Sequence, residues 1–226
     1  MPVTRSVRWA GVKVWEDRLL DGALSAMPRV FDPVDIPKYE DALVDGLHTM
    51  VTPGDRVVLI GGGFGVTAVV AARAAGSAGV VWCFEASAEQ LDWIRRTYAL
   101  NARTETLAPL RLVHGVVGTP HRVYGGSGDA RTTAPPDLPE CDVIELDCEG
   151  SEIEIIEQMR IKPRAILVES HGIYGSPTDA VRHAVEGAGY EVLSVRAAEG
   201  RWPDRCFADD VRVIAAMRRG GDTRNG

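Results

Sequence analysis

Apolar residues in this chain follow two alternating patterns, short unbroken runs and longer stretches with helical spacing. The unbroken runs are typical of strands buried on both faces of a parallel sheet, and they lie at 56–60, 79–84, 110–113, 142–146, 165–168, 191–195 and 211–217. Helical spacing covers 36–51, 66–75, 88–100, 152–159 and 179–188. The last two runs have no predicted helix between them, which favours an antiparallel pair. The pattern therefore predicts an α/β fold with a mostly parallel seven-stranded sheet, helices on both faces and an antiparallel closing strand.

Two regions flank this alternation and one interrupts it. Residues 6–15 carry β-branched and aromatic residues around a central glycine, which predicts a hairpin or an edge strand within an N-terminal extension, 1–34. The main domain is expected at 35–218, and the tail at 219–226 is expected to be disordered from its composition. The interruption at 115–139 is rich in Gly, Pro, Ser and Thr, which predicts a long surface loop.

A glycine-rich loop lies between the first run and the helix that follows it. Gly61, Gly63 and Gly65 form a GxGxG pattern. Glycine at such a turn lets the backbone and the free N–H groups of a helix N-terminus approach a ligand closely. A dinucleotide fingerprint, GxGxxG, would need a further glycine at the position of Val66. The spacing fits the pattern of S-adenosylmethionine-binding methyltransferases instead, and a tight turn without a ligand is the alternative.

Glu85 ends the second run, twenty positions after Gly65. A carboxylate at this point can accept both hydroxyl groups of an adenosine ribose, and sites for nicotinamide dinucleotides use the same arrangement. Glu85 therefore does not distinguish the two cofactors by itself. The order of elements nevertheless matches a nucleotide site: a strand, a glycine turn, a helix, a second strand and an acid. This order favours a ligand-binding loop over a turn with a purely structural role.

A second group of polar residues follows two later runs. It consists of Asp147, Glu149 and Glu152 after the fourth run and of Glu169 and His171 after the fifth. Ligands of open α/β sheets bind at the carboxyl ends of the strands, so we expect these side chains to converge. Asp147, Glu169 and His171 could together hold a divalent metal, but no spacing enforces one, and none is expected.

The second group resembles the signature of a known family. Residues 147–152 read Asp-Cys-Glu-Gly-Ser-Glu, which is similar to the Asp-x-Glu-Gly-x-Glu signature of the FkbM family of S-adenosylmethionine-dependent methyltransferases. The resemblance runs from about Tyr39 to Val195 and includes Gly54 with the aspartate after it, Asn101 and the Val-Glu-Ser-His run at 168–171. It implies a Rossmann-like class I methyltransferase fold with S-adenosylmethionine as methyl donor.

One position departs from the family pattern. An acidic residue usually stands two positions before the first motif glycine, and here that residue is Leu59. The family's usual alanine is Gly62. An acid at this point helps to orient the glycine loop and the methionine ammonium group, and Asp147 is a group that could replace it.

The resemblance also implies roles for individual residues. The cofactor-binding residues would be Gly61, Gly63 and Gly65 at the methionine end, Glu85 at the ribose, Ala86 beside it, Gly115 and Val116 at the adenine, and Asp147 near the sulfonium. The catalytic residues would be Asp147, Glu149, Glu169 and His171, of which the last three could orient or deprotonate an acceptor hydroxyl.

Three residues of the second group also have structural interpretations. His171, with an ordinary pKa near ~6.5, suits a general base, and a hydrogen bond to a neighbouring loop is its alternative. Glu149 and Glu152 could instead place negative charge at the N-terminus of the following helix, and for Glu152 we favour that role.

Composition narrows the class of protein. A formal charge of -7 and an isoelectric point near 5.3 weigh against nucleic acid as the main partner. No apolar stretch reaches the ~20 residues of a membrane span, the start of the chain lacks the pattern of a secretory leader, and the four cysteines form no CxxC pair. We therefore expect a soluble cytoplasmic protein without membrane association, and the oligomeric state stays open.

The sequence predicts O-methylation of a sugar, a glycan or another small hydroxylated metabolite, with the acceptor class taken from the family resemblance. Nitrogen methylation of RNA or protein stays open, although the chain has no Asn-Pro-Pro-Tyr motif for amino-group methylation. Two further alternatives remain. A nicotinamide-dependent oxidoreductase should supply a Tyr-x-x-x-Lys pair, which none of the three lysines forms. A cofactor-binding protein without catalysis is the second alternative, and Leu59 is the residue that motivates it.

Overall fold

The computed structural model describes residues 6–15, 35–36, 38–120, 122–123 and 126–220. In chain order its strands and helices are β1 (Ser6–Trp9), β2 (Val12–Trp15), β3 (Asp35–Ile36), α1 (Asp41–Met50), β4 (Arg56–Ile60), α2 (Val66–Ala75), β5 (Val80–Glu85), α3 (Ala88–Asn101), β6 (Leu110–Val117), β7 (Arg131–Thr133), β8 (Val143–Leu146), α4 (Glu152–Gln158), β9 (Ala165–His171), α5 (Thr178–Gly187), β10 (Tyr190–Ala197), α6 (Pro203–Ala208) and β11 (Val211–Arg218). Most of the extension predicted at 1–34 and most of the tail predicted at 219–226 lie outside the described residues.

One large sheet organises the fold, with strands in the order β10-β11-β9-β8-β4-β5-β6-β7. The strands from β4 to β9 pair in parallel, and β11 runs antiparallel to both of its neighbours. The predicted α/β fold with a mostly parallel sheet is thereby confirmed. The chain leaves β4 towards β5 on one side and later returns to β8 on the other side. The loops after β4 and β8 therefore diverge, and this opens a crevice at the carboxyl ends of the two strands.

Helices cover both faces of the sheet. On one face, α1, α2 and α3 pack with Leu59 and Leu167 in one buried cluster. On the other face, α4 and α5 pack with Ile144 and Ile166 in a second cluster. Because the central strands are buried on both faces, their sequences are continuous apolar runs rather than alternating ones.

The structure differs from the sequence prediction in three segments. Residues 115–139 are not one surface loop, because they begin inside β6 and include β7, which adds an eighth strand, and Leu138, which is 5% exposed. A short helix, α6, lies between β10 and β11, where none was predicted. Helix α1 begins at Asp41 instead of near residue 36, because Lys38 and Glu40 have φ angles of 64° and 46°. This left-handed conformation cannot continue a right-handed helix.

The N-terminal hairpin shares the core of the main domain. β1 and β2 pair antiparallel, and Trp9, Val12 and Val14 belong to the same buried cluster as α1 and α2. The side chain of Asn101, at the end of α3, accepts a hydrogen bond from the backbone N–H of Lys13 at 3.1 Å and donates one to its carbonyl at 2.9 Å. The hairpin is thus attached to α3 by both packing and hydrogen bonds.

Candidate functional site

A cavity of about 330 Å³ lies at the carboxyl ends of β4, β5 and β8. Its volume falls within the ~300–1,000 Å³ of small-ligand pockets. The residues that the sequence nominated and that line it are Gly61, Gly63, Glu85, Ala86, Gly115, Val116, Asp147 and Glu149. Residues far apart in the sequence therefore form one pocket at the crevice of the sheet.

The three motif glycines are required for different reasons. Gly61 has a φ of 92°, and a Cβ there would lie 1.8 Å from the carbonyl oxygen of Asp147. Gly63 has a φ of 47° and lines the cavity, and a Cβ there would meet no atom within 4 Å. Gly65 caps α2 and packs against Ile94, away from the cavity lining. The first glycine allows β4 and β8 to meet, the second leaves room beside the backbone, and the third packs α2 on α3.

Glu85 ends β5 and is 5% exposed. Its carboxylate accepts hydrogen bonds from the backbone N–H of Gly62 at 3.0 Å and of Ser87 at 2.8 Å. Burial raises the pKa of Glu85, and these backbone hydrogen bonds oppose the rise. Each carboxylate oxygen has a further lone pair. Glu85 can therefore hold the glycine loop and accept a ribose hydroxyl at the same time, and only the second role was predicted from the sequence.

Gly115 and Val116 lie inside β6, not in a loop, so strand pairing fixes their positions. Gly115 pairs with Arg131 of β7, whose carbonyl oxygen would lie 3.0 Å from a Cβ on this glycine. With Phe84 and Ala86 they line the apolar part of the cavity. An apolar wall close to a carboxylate suits a flat base attached to a ribose.

Part of the cavity wall is acidic. Asp147 and Glu149 line it, whereas Glu169 and His171 belong to β9 and lie outside the lining. The Nε2 atom of His171 is 3.4 Å from Oδ1 of Asp147 and 3.6 Å from Oε1 of Glu169. The structure thus brings the four nominated catalytic residues together, and it places two of them on the cavity wall.

The imidazole of His171 is positively charged in this arrangement. Its Nδ1 lies 2.9 Å from Oε1 of Glu152. Burial alone would lower the pKa of His171, but the hydrogen bond to Glu152 and the charges of Asp147, Glu152 and Glu149 raise it to about 9. This pKa lies above the ordinary value of ~6.5 that suits a base at neutral pH. A base must be unprotonated at the working pH, so this pKa favours a cationic His171 beside Asp147 at neutral pH, and the role of a base stays a prediction.

Glu152 has two functions, of which the sequence indicated one. It is the first residue of α4, is fully buried, and accepts a hydrogen bond from the backbone N–H of Gly150 at 3.0 Å. Burial alone would raise the pKa of Glu152, but the hydrogen bond and charge of His171 lower it below the ordinary value. Glu152 therefore places negative charge at a helix N-terminus, as predicted, and also fixes the orientation of His171.

We expect Glu152→Gln to lower the pKa of His171 from about 9 towards its ordinary value, because a charged hydrogen-bond acceptor is lost. The raised pKa stabilises the fold fully below the unfolded value of ~6.5, and this stabilisation disappears as the pH rises through the folded value. NMR titration of His171 and denaturant unfolding between pH 6 and 10 measure both effects. Glu157→Gln, at an exposed position of α4, is the matched control. An unchanged His171 pKa would mean that Asp147 and Glu149 alone hold the proton.

Glu149 has the properties of a base that works at neutral pH. It lines the cavity, its backbone φ of 55° is left-handed, and its Oε2 has no hydrogen-bond partner among the described residues. Burial raises the pKa of Glu149 to about 7, while His171 opposes the rise and Asp147 adds to it. A pKa close to the working pH makes proton transfer efficient, and backbone strain is concentrated at functional positions.

Three of these residues could instead bind a metal ion. Asp147, Glu149 and His171 each place one possible ligand atom within 4.8 Å of the others. Such a spacing suits a divalent cation. His171 would first have to lose its proton, because an imidazolium has no free lone pair. This ligand set therefore requires a neutral His171, and the expectation of no metal stays a prediction.

The cavity wall also contains residues that the sequence did not indicate as site residues, namely Tyr39, Glu40, Phe64, Gln90 and Arg122. Tyr39 and Glu40 immediately precede α1 and belong to no recognised motif. Only the packing of α1 on the sheet brings them to the glycine loop. An adjacent tyrosine and glutamate directly before a helix was the available signal.

Comparison with known proteins shows which solved structures share this fold. No family model and no curated protein matches it. It resembles the ribosomal protein L11 methylase of Lactobacillus delbrueckii subsp. bulgaricus, with 15% identity over 85% of this chain and 89% of the other and a TM-score of 0.54. It also resembles magnesium protoporphyrin IX methyltransferase of Synechocystis PCC 6803, solved with bound S-adenosylmethionine, with 14% identity over 79% and 77% and a TM-score of 0.52.

A third similar structure is the fibrillarin pre-rRNA processing protein of Methanococcus jannaschii, with 13% identity over 76% of this chain and 69% of the other and a TM-score of 0.50. The chain therefore has the Rossmann-like fold of class I S-adenosylmethionine-dependent methyltransferases. Among the described residues, none of the helices combines the length and the apolar character needed to cross a membrane.

Proposed function

We propose that this protein transfers the methyl group of S-adenosylmethionine to an oxygen atom of a hydroxylated acceptor. The observation that carries the proposal is the composition of the cavity wall. The glycine loop and Glu85 lie at one part of it, and Glu149, with a pKa of about 7, lies at another. The same pocket thus contains residues that suit a nucleoside and residues that suit a reacting hydroxyl group.

The residues present fit the methyl donor and the proton transfer. S-adenosylmethionine supplies a methyl group on a sulfonium, and transfer leaves the bonding electron pair on sulfur, which gives S-adenosylhomocysteine. Glu149 accepts the proton that the acceptor hydroxyl loses when its oxygen bonds to the methyl carbon. Asp147 places a carboxyl group on the same wall, where it favours a cation. The remaining contribution of the protein is to position the two reactants in line.

The proposal includes a finer assignment, an FkbM-type enzyme acting on a sugar, a glycan or another small hydroxylated metabolite. The signature at 147–152 supports it, because two of its acids line the cavity. The same acids disfavour phosphate-rich acceptors, which they would repel. The similar structures are named for a ribosomal protein, a magnesium porphyrin and pre-rRNA processing, so the fold does not select the acceptor.

A reducing location such as the cytoplasm is also proposed, since all four cysteines are free thiols.

Calorimetry with S-adenosylmethionine, S-adenosylhomocysteine and NAD tests the cofactor. We expect the first two to bind and NAD to give no signal. Glu85→Ala should weaken S-adenosylhomocysteine binding about 10- to 100-fold, the effect of losing hydrogen bonds to a charged group worth ~1.5–3 kcal/mol. Glu157→Ala, at an exposed position, is the control. Thermal unfolding of both variants is needed, because Glu85 also holds the glycine loop.

Tight binding of NAD without binding of S-adenosylmethionine would contradict the proposal and favour an oxidoreductase. The acceptor is tested by incubating the protein with S-adenosylmethionine and a panel of monosaccharides, methyl glycosides and phenols, with formation of S-adenosylhomocysteine as the signal. Binding of the methyl donor without turnover on any acceptor, including protein and RNA, would favour the non-catalytic alternative.

A further inference from the structure

Four carboxyl groups meet on one face of the sheet beside the glycine loop. Glu145 and Asp147 lie two residues apart along β8 and its extension, and Glu169 lies on the neighbouring strand β9. Glu40 is the residue before α1, which packs on this face through Gly46 against a leucine of β9. Burial raises the pKa of Glu40, Glu145 and Glu169, and the charge of Asp147 raises all three further.

Glu145 contributes an unpartnered oxygen atom to this cluster. Its side chain is 1% exposed, and its Oε2 atom has no hydrogen-bond partner among the described residues. A buried carboxyl oxygen without a partner is costly. Glu145 also pairs in register with Leu59 of β4, so the two side chains point to the same face beside the glycine loop. Glu145 does not line the cavity, so a positively charged ligand there would act on it through Glu40 and Asp147, whose charges raise its pKa.

Glu40 is a member of the cluster and lines the cavity. Its φ and ψ angles are 46° and 32°, a left-handed conformation, and its side chain makes no capping hydrogen bond to α1. The strain is therefore not offset by helix capping. It places a carboxyl group among the residues that line the cavity, next to those of the glycine loop.

The charges around Glu40 leave this end of the cavity with an excess of carboxyl groups. The titratable and charged groups that act on Glu40 or respond to it are Tyr39, Glu145, Asp147, Glu169, Glu199 and Arg201. Arg201 is the cation in this set, and it is paired with Glu199 at 2.8 Å. The cationic His171 offsets part of the charge of Asp147 and Glu169. A cationic ligand group would offset the repulsion that remains between the other carboxyl groups.

We propose that Glu40, supported by Glu145, binds the ammonium group at the methionine end of S-adenosylmethionine. This inference rests on the proposed function, because it needs the same ligand in the same cavity. An ammonium group offers three donors and no acceptor, which matches a set of carboxyl oxygens. The neighbouring strand and α1 then supply the acids that the chain lacks at Leu59.

The test compares two ligands that differ at the methionine end. S-adenosylhomocysteine has the ammonium group, whereas 5′-methylthioadenosine keeps the adenosine and the thioether but lacks the amino acid. We expect Glu40→Gln to weaken S-adenosylhomocysteine about 10- to 100-fold, the effect of losing a hydrogen bond between charged groups. Binding of 5′-methylthioadenosine should change less than about twofold. Glu157→Gln is the matched control, and Glu145→Gln, with the same readouts, is the second variant.

The outcomes separate this inference from the function on which it rests. Glu40→Gln should unfold at the same temperature as the wild type or higher, because it removes one of several repelling groups. Equal weakening of both ligands, or no weakening of either in both variants, would overturn the ammonium assignment and leave the cofactor in place. Failure of the wild type to bind either ligand would overturn the proposed function. Loss of S-adenosylhomocysteine binding on addition of EDTA would place a metal ion in the cluster and also overturn the assignment.

Discussion

Glu149→Gln is expected to lower the rate of methyl transfer at least about 100-fold, the usual contribution of a positioned general base. The substitution keeps the size of the side chain but removes its ability to accept a proton. Glu149 is the candidate base because it lines the cavity with an oxygen that has no hydrogen-bond partner among the described residues. The measurement is the rate of S-adenosylhomocysteine formation with the best acceptor of the panel.

The dependence of the methyl-transfer rate on pH provides a second test of Glu149 as the base. Burial raises the pKa of Glu149 to about 7, and the base must be ionised to accept a proton. The wild-type rate should therefore rise with pH through about 7 and level off above it. Glu149→Gln should lose this ionisation, whereas Glu157→Gln, exposed on α4, should keep both rate and profile. A variant that retains the same rise near neutral pH would assign the proton transfer to another group.

Gly61→Ala is expected to remove cofactor binding and to destabilise the fold strongly. The new Cβ would lie 1.8 Å from the carbonyl oxygen of Asp147, at a φ of 92° that alanine rarely adopts. Backbone strain of ~1–3 kcal/mol and overpacking of ~1–3 kcal/mol together reach ~2–6 kcal/mol, a large part of a typical stability of ~5–15 kcal/mol. Denaturant unfolding and calorimetry with S-adenosylhomocysteine measure the two effects.

Two matched glycine substitutions separate strain from contact. Gly63→Ala adds a Cβ at a φ of 47° with no atom within 4 Å, beside the cavity. It should cost only the backbone strain of ~1–3 kcal/mol and still weaken ligand binding. Gly11→Ala, at a φ of 74° in the hairpin turn, also meets no atom within 4 Å and should leave ligand binding unchanged. Wild-type stability in Gly61→Ala would show that the loop after β8 can move away.

Features that depend on a few neighbouring residues were predictable from the sequence. The bounds of β4 and α2 match the prediction, because a buried parallel strand and a glycine-started helix each have a strong local pattern. β7 and α6 were missed. β7 consists of Arg131, Thr132 and Thr133, which attach to the edge of the sheet without an apolar run that would reveal them. α6 has only 6 residues, too few for a clear helical period.

The candidate site was predictable only in part for the same physical reason. Gly61 and Glu85 stand at the ends of recognisable strands, so their meeting at one sheet edge follows from the parallel order. Glu40 and Glu145 stand in no motif, and their approach to Asp147 depends on how α1 and β8 pack. No local pattern encodes that approach.

By itself, then, the sequence determined the alternation of strands and helices, the glycine loop and the acids at the strand ends, because short-range spacing carries each of them. The tertiary structure alone decided which of these groups carry charge. His171 becomes a cation and Glu149 acquires a pKa of about 7 through burial and through neighbours from other elements. A pKa depends on desolvation and on the distances between charges, and both exist only after the chain has folded.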